Sequence, residues 1–307
     1  MPINRAAISK ELLPGLNAVF GMEFGEVNDE HLPLYEIENS DRSFEEEVLF
    51  TGFGTAPTKN EGAAVVYDDA GESFTARYTN ETIALAFAIT EEAMEDNLYD
   101  TFAKLRAKGL ARAMANTKQV KAAKLYNEGF TTAQGDGVSL FNTAHPTVGD
   151  GNQSNIGTAA AISEASLESA VIAIQKFKDD RGILIGSSAV SLHVPVDLMF
   201  TCDVLLNTPG IVGSADNDIN SIRNLGVFPR GYMTNRRFTD TNAFYIKTDV
   251  PNGSKMFNRT PLQTKMEPDF DTGNLRFKAR ERYSFGVSDW RGWFGNQGAE
   301  PLIIREG

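Results

Sequence analysis

The chain has one cysteine, Cys202, and three histidines, His31, His145 and His193, in 307 residues. A lone cysteine excludes an internal disulfide, and histidines this scattered, with no ligand spacing around them, argue against a zinc site. No apolar run approaches the roughly 18 residues that a membrane-crossing helix needs. Met1 to Phe20 also lacks the basic start and apolar core of a secretory leader. The expectation is a soluble chain with no membrane partner. Basic excess is missing too, since 29 Lys and Arg stand against 41 Asp and Glu, for a net charge of -12. That balance disfavours a protein whose work is gripping phosphate backbones. It leaves room for one that encloses nucleic acid, because an acidic wall repels packed polynucleotide and keeps it mobile.

Catalytic signatures are equally scarce. Asp271-Thr272-Gly273 matches the short run around an aspartic peptidase carboxylate, but it holds the residues a tight turn prefers and sits between two strand candidates, so it reads as a turn. Asp216-Asn217-Asp218 opens like a calcium loop. Ser221 then stands where glycine is required and Val227 where a glutamate should be, which makes it a solvated loop. Gly52-Phe53-Gly54 and Gly135-Asp136-Gly137 lack the third glycine and the strand-to-helix context of a dinucleotide site, and there is no P-loop. Cys202 falls in the apolar pattern of a helix beside Met199 and Leu205, a core position for a residue type that is usually buried. His145, held out of helix by Pro146, has no partner nameable from sequence. The expected catalytic, cofactor-binding and metal-binding sets are therefore all none.

With 41% hydrophobic content, the chain can nevertheless bury a sizeable core. Its most informative stretch runs from Leu275 to Gly295. Leu275, Phe277, Ala279, Tyr283 and Phe285 alternate with Arg276, Lys278, Arg280 and Arg282, so a strand here buries one face and lines up four bases on the other. Like charges two residues apart repel, and such a face is better placed against something acidic, here expected to be the carboxylates of a neighbouring subunit. The alternative is a solvated face with local acidic partners.

Residues 1–42 read as an arm, with a short helical pattern through Ile8, Leu12, Leu16 and Phe20 that cannot build a core alone. Strand-like runs at Ser43 to Phe50 and Glu72 to Thr79 flank a breaker-rich connection, giving a protruding hairpin that is marginal unless it lies on a surface. A strand at Ile83 to Ile89, with alanines on its second face for close packing, leads to a helix opening at Thr90 and reaching Glu128. Met94, Leu98, Phe102, Leu105, Leu110, Met114, Val120 and Leu125 form its apolar stripe. At 1.5 Å per residue it would be on the order of 55 Å long. Gly109 in its middle implies a close partner or a bend. Residues 129–160 form a long loop anchored by Leu140 to Pro146. Ser163 then caps a helix ending at Asp179-Asp180-Arg181-Gly182, a strand follows at Val190 to Val194, and Pro195 opens a third helix reaching Leu206. Strand candidates at Gly226 to Thr234 and Ala243 to Lys247 complete a mixed α/β unit, and Pro251-Asn252-Gly253 marks a turn.

This order of parts, with the His145-Pro146 region and the closing Tyr283-Ser284-Phe285-Gly286 and Asp289-Trp290-Arg291-Gly292, resembles the major capsid proteins of tailed bacteriophages, and most of all the major head subunits of Mu-like prophages. The resemblance spans nearly the whole chain and implies an α+β protein of the Hong Kong ninety-seven fold. It places an N-terminal arm at 1–42 and an extended loop at 43–82. A peripheral domain would take 83–160 and 251–307, with its spine helix at 90–128, and an axial domain 161–250. The implied function is that of a non-enzymatic subunit assembling into pentamers and hexamers of an icosahedral head around double-stranded DNA. Assembly would occur in the host cytoplasm, with no cofactor. A separate scaffolding protein, a portal and a decoration protein would be its partners, and packaged DNA would be held without sequence-specific binding. Lys59 and Asn60 invite the Lys-to-Asn cross-link of some relatives, but no positioned partner is visible. A related nanocompartment shell remains an alternative, as does, from another class, an acidic α/β hydrolase or aspartic peptidase.

Overall fold

The computed structural model describes residues 5–26, 29–90, 92, 99–210, 219–269 and 272–299. Its framework is a pair of long antiparallel strands, β10 (Ser254–Pro268) and β11 (Leu275–Val287). They are joined by a turn in which Gly273 takes φ +68°, and the Asp269 amide donates to the Asn274 carbonyl. Thr272 and Gly273 of the turn expected at Asp271-Thr272-Gly273 lie in this connection, and Asp271 lies outside the described residues. β1 (Glu36–Asn39) runs parallel to β10, and β4 (Glu81–Ile89) runs antiparallel to β11, for the order β1-β10-β11-β4.

Leu275, Phe277 and Ala279 are buried and Arg276, Lys278 and Arg280 exposed, as the alternation requires. Across the buried face lies α2 (Tyr99–Asn127), which at 1.5 Å per residue is about 44 Å long. Its buried residues include Ala103, Ala107, Leu110, Ala111, Met114, Ala122, Ala123 and Tyr126. Leu105 and Val120, expected in the stripe, instead face outward at 65% and 48% exposure. The alanines win the inner face because they let the helix sit close to the sheet. Thr90 lies outside the helix, and of its expected first turns only Glu92 is described before Tyr99. Gly109 is exposed with nothing within 4 Å of a Cβ built on it, so no close approach among the described residues explains it. α1 (Arg5–Gly25) docks alongside, with Leu16 and Phe20 in the cluster formed by α2 and the strands. The arm is therefore tied to its own chain's spine.

The second sheet, β12-β9-β7-β8, comprises β7 (Ala189–Pro195), β8 (Tyr232–Asn235), β9 (Phe244–Thr248) and β12 (Trp293–Asn296). Packed with it are α3 (Glu164–Gln175), α4 (Met199–Asn207) and the short α5 (Ser221–Leu225). Ser163 caps α3 through a capping box with Ser166. Pro195 leads through one 3-10 turn into α4. The chain's closing segment joins the two halves, because Trp293 packs with Tyr126 and Tyr245 while Trp290 and Phe294 enter the core under α3. Its glycines are steric requirements: a Cβ on Gly292 would lie 2.4 Å from the Gly253 Cα, and one on Gly295 2.5 Å from the Phe141 ring. Residues 129–160 form the expected long loop, which carries one short antiparallel pair, β5 (His145–Pro146) and β6 (Asn152–Gln153), and is anchored by buried Leu140, Phe141 and His145.

Candidate interaction surfaces

The first surface is the hairpin of β2 (Phe44–Phe50) and β3 (Glu72–Thr79), which pair with each other and, among the described residues, with no third strand. Its base is fixed to the framework. Tyr78 packs edge-on to Phe257 with ring centroids 4.8 Å apart and shares a 2.5 Å hydrogen bond with Ser288, while Lys255 donates to Glu47 at 2.5 Å. Beyond the base, the connection 51–71 has little interior. Phe50, Phe53, Val65, Val66 and Tyr67 are all more than 60% exposed, Tyr67 at 95%. It is tied to itself where the Gly54 amide donates to Asp68 at 2.6 Å and where Thr51 pairs with Gly71, and it is held to the rest of the chain by Arg181, which donates to the Asp68 carboxylate at 3.0 Å and to the Asp69 carbonyl. The Gly54 amide, contributing most, and Arg181 hold the Asp68 carboxyl below the usual carboxylate range. Lys59 and Asn60 are exposed in the same connection.

The second surface is the outer face of β11. Arg276 pairs with Asp269 at 2.5 Å. The next three bases have no such relief: Lys278 lies opposite Lys265, Arg280 opposite Gln263 and Arg282 opposite Thr260 on β10. On β4 their neighbours are Ala86, Ala84 and Thr82. Among the described residues, none of Lys278, Arg280 and Arg282 forms an ion pair, and the Arg282 Nε is buried without a hydrogen-bond partner. The alanines of β4, read from sequence as a close-packing face, are exposed and leave the basic row uncovered. The sequence missed the other side of this strand: Glu281, in register with the apolar residues, is buried against Lys118 of α2 at 2.6 Å. Burial raises its carboxyl above the usual range, with Lys118 opposing.

Two residues weighed for chemistry, Cys202 and His145, lie in fully buried surroundings. Cys202 is fully buried in the core under α3, and burial pushes its thiol up to about 12, the reverse of nucleophile activation. His145, also fully buried, stacks on Trp290 at 4.4 Å and contacts Asp136 through Nδ1 at 2.6 Å and Asn155 Oδ1 through Nε2 at 3.0 Å. The Asn155 amide nitrogen donates to the carbonyls of Leu140, Trp290 and Trp293, which fixes its oxygen toward the ring. Both ring nitrogens therefore face acceptors. No hydroxyl or thiol nucleophile is bonded to this set, and its role is to clamp the 129–160 loop to the closing segment. Its members come from the irregular 129–160 loop and the closing segment, which no periodicity announces. The calcium-like run at 216–218 lies outside the described residues. Among the described residues, no cluster of three or more His, Cys, Asp or Glu is placed to hold a metal, and no helix is long and apolar enough to cross a membrane.

An inner helix laid along a four-stranded sheet, a hairpin reaching out from its edge, and a second α/β unit joined by the tail together define a shell-building subunit of the Hong Kong ninety-seven type. The family described as phage capsid protein matches residues 72–296, and the chain belongs to it. No curated protein sequence matches. Among solved structures, the chain is similar to the capsid of a native GTA particle, at 14% identity and TM-score 0.55, over 88% of this chain and 90% of that one. It is similar to the procapsid of bacteriophage JBD30, at 14% identity and TM-score 0.53, over 98% and 78%. It also resembles a virus-like particle from Pyrococcus furiosus, at 10% identity and TM-score 0.53, over 93% and 99%. These likenesses carry the fold, and the family membership makes the chain a phage major capsid subunit and tells against the nanocompartment alternative.

Proposed function

We propose that copies of this chain, without catalytic activity, close into pentamers and hexamers of an icosahedral head around double-stranded DNA, as in the head subunits of Mu-like prophages. Residues 161–250 gather around the symmetry axes, and the peripheral unit of 83–160 and 251–307 forms the shell floor. The 43–82 hairpin lies on a neighbouring copy. Assembly takes place in the host cytoplasm on a separate scaffolding protein, with portal and decoration proteins as further partners. The observation that carries this reading is the hairpin: a two-stranded element that exposes Phe50 at the end of β2 and four more large apolar side chains in its connection gains stability only against another surface.

The test is electron microscopy of the purified protein after gradient sedimentation, with and without a candidate scaffolding protein. Closed megadalton shells are expected, and particles from infected or induced cells should contain DNA. A monomer under every condition would overturn the proposal.

A further inference from the structure

The 161–250 unit exposes two apolar features that do not meet. On one side, Val196, Phe200 and Val204 are 46%, 76% and 39% exposed. Their spacing of four residues stacks them into a single ridge along the 3-10 turn and α4, while Cys202 on the opposite side fills the core. The other feature is a groove of about 690 Å³ between α3 and α5, floored by Val171, Ala189, Ile222 and Val227. Ile172 and Leu225 stand on its walls at 52% and 76% exposure. Glu168, Gln175, Ser188 and Ser221 supply polar groups around it, and Glu168 is occupied by the Ser221 hydroxyl. No residue of the ridge lines the groove.

An apolar floor with a polar rim is the anatomy of a protein interface. The exposed charges beside the ridge are acidic, Asp197 and Asp203, whereas the groove carries Arg223 and Arg230 beside it together with Glu168 and Glu164, both of which accept from Ser221. A ridge paired with its own copy would set aspartates against aspartates and leave the groove empty. A ridge seated in the groove of the next copy satisfies both, and repetition of that head-to-tail contact generates a ring.

We infer that the ridge of one copy seats in the groove between α3 and α5 of the next, with Phe200 as its anchor. This rests on the shell reading and adds to it the partner, the direction and the residues of the ring contact. Phenylalanine can bury roughly 150–250 Å² on docking, which suits an anchoring role. A single such contact is weak, and ring closure multiplies it.

The test is cross-linking with a short bismaleimide on assembled particles. Buried Cys202 leaves wild type as the unreactive control. A chain carrying both Phe200→Cys and Leu225→Cys should give a ladder of covalent oligomers. A co-assembled mixture of the two single variants should give dimers and nothing larger, because each chain then offers only one end. Val204→Cys with Ile172→Cys is the second pair, for use if the first fails to assemble. Dimers from Phe200→Cys particles alone would show ridge against ridge and overturn the inference. So would links confined within a chain, or well-formed particles with no link from either pair. In those cases the shell reading stands. Absence of particles from the wild-type chain would overturn both.

Discussion

His193 sits on β7 with its Nε2 2.9 Å from the Ser191 hydroxyl and its ring against Trp293, fully enclosed. Burial, with a smaller contribution from nearby Lys247, pushes its pKa down from 6.5 to about 3. The unfolded chain takes up this proton near pH 6.5 and the folded chain only near 3, so between those values the unfolded state binds more protons. Stability must then fall as pH falls, by about 2 kcal/mol between pH 6.5 and 5 from this residue alone. Urea titrations at pH 7 and pH 5 should show that loss in wild type and a smaller one in His193→Gln. An unchanged slope would mean that the imidazole gains a partner or water on protonation. Asn155 bears on stability differently. It satisfies three buried carbonyls, the Asn142 amide and His145. Asn155→Ala strands several of these and should cost roughly 3 kcal/mol or more in chemical denaturation. A loss under about 1 kcal/mol would show that water replaces the amide. Neither environment could be read from sequence, since His193 lies in an ordinary strand pattern and the partners of His145 sit in loops without a period.

At the scale of elements, the hairpin separates folding from assembly. Its base is bonded into the framework through Tyr78, Glu47 and Ser288, whereas Gly52 to Gly62 contribute almost nothing buried. Deleting 52–62 should leave the circular dichroism spectrum and melting temperature near wild type, because exposed tips tolerate shortening. Particle yield should drop several-fold. Normal yield and particle stability would remove the loop from the assembly surface. The hairpin, the spine and β11 were legible because each carries a strong period or an unmistakable breaker cluster. Three elements were not. α5 has only five residues, too short for a helical period. β1 is wholly exposed and offers no alternation. The first half of β10 is buried at four successive positions, Ser254 to Phe257, so its pattern resembles neither a half-buried strand nor a helix. The spine's true inner face was also misassigned, because alanine carries too little hydrophobicity to outweigh Leu105 and Val120 in a pattern count.

For the whole molecule the governing quantity is the distribution of charge. A chain of net charge -12 repels its own copies at long range, yet it keeps exposed Lys278 and Arg280 and half-buried Arg282 in a row without ion pairs among the described residues, bordered by Ala84 and Ala86. Within the subunit this row is a cost, because three like charges stand together and Lys278 also faces Lys265. Removing that repulsion by mutation should leave the isolated subunit as stable as before or slightly more so. The row makes sense if the acidic surface of another copy covers it, where the same charges become attractive and fix register. Arg280→Glu with Arg282→Glu should therefore keep a wild-type circular dichroism spectrum and a melting free energy within about 1 kcal/mol, while sedimentation shows subunits failing to enter shells. Wild-type assembly should weaken as salt is raised, since exposed charges interact over only about 10 Å at 0.1 M ionic strength. The double variant, having lost the attraction, should lose that dependence in whatever residual assembly it shows. Normal particles from the variant would assign the row to open solvent, and a melting transition displaced well beyond that margin would assign it to the subunit's own fold.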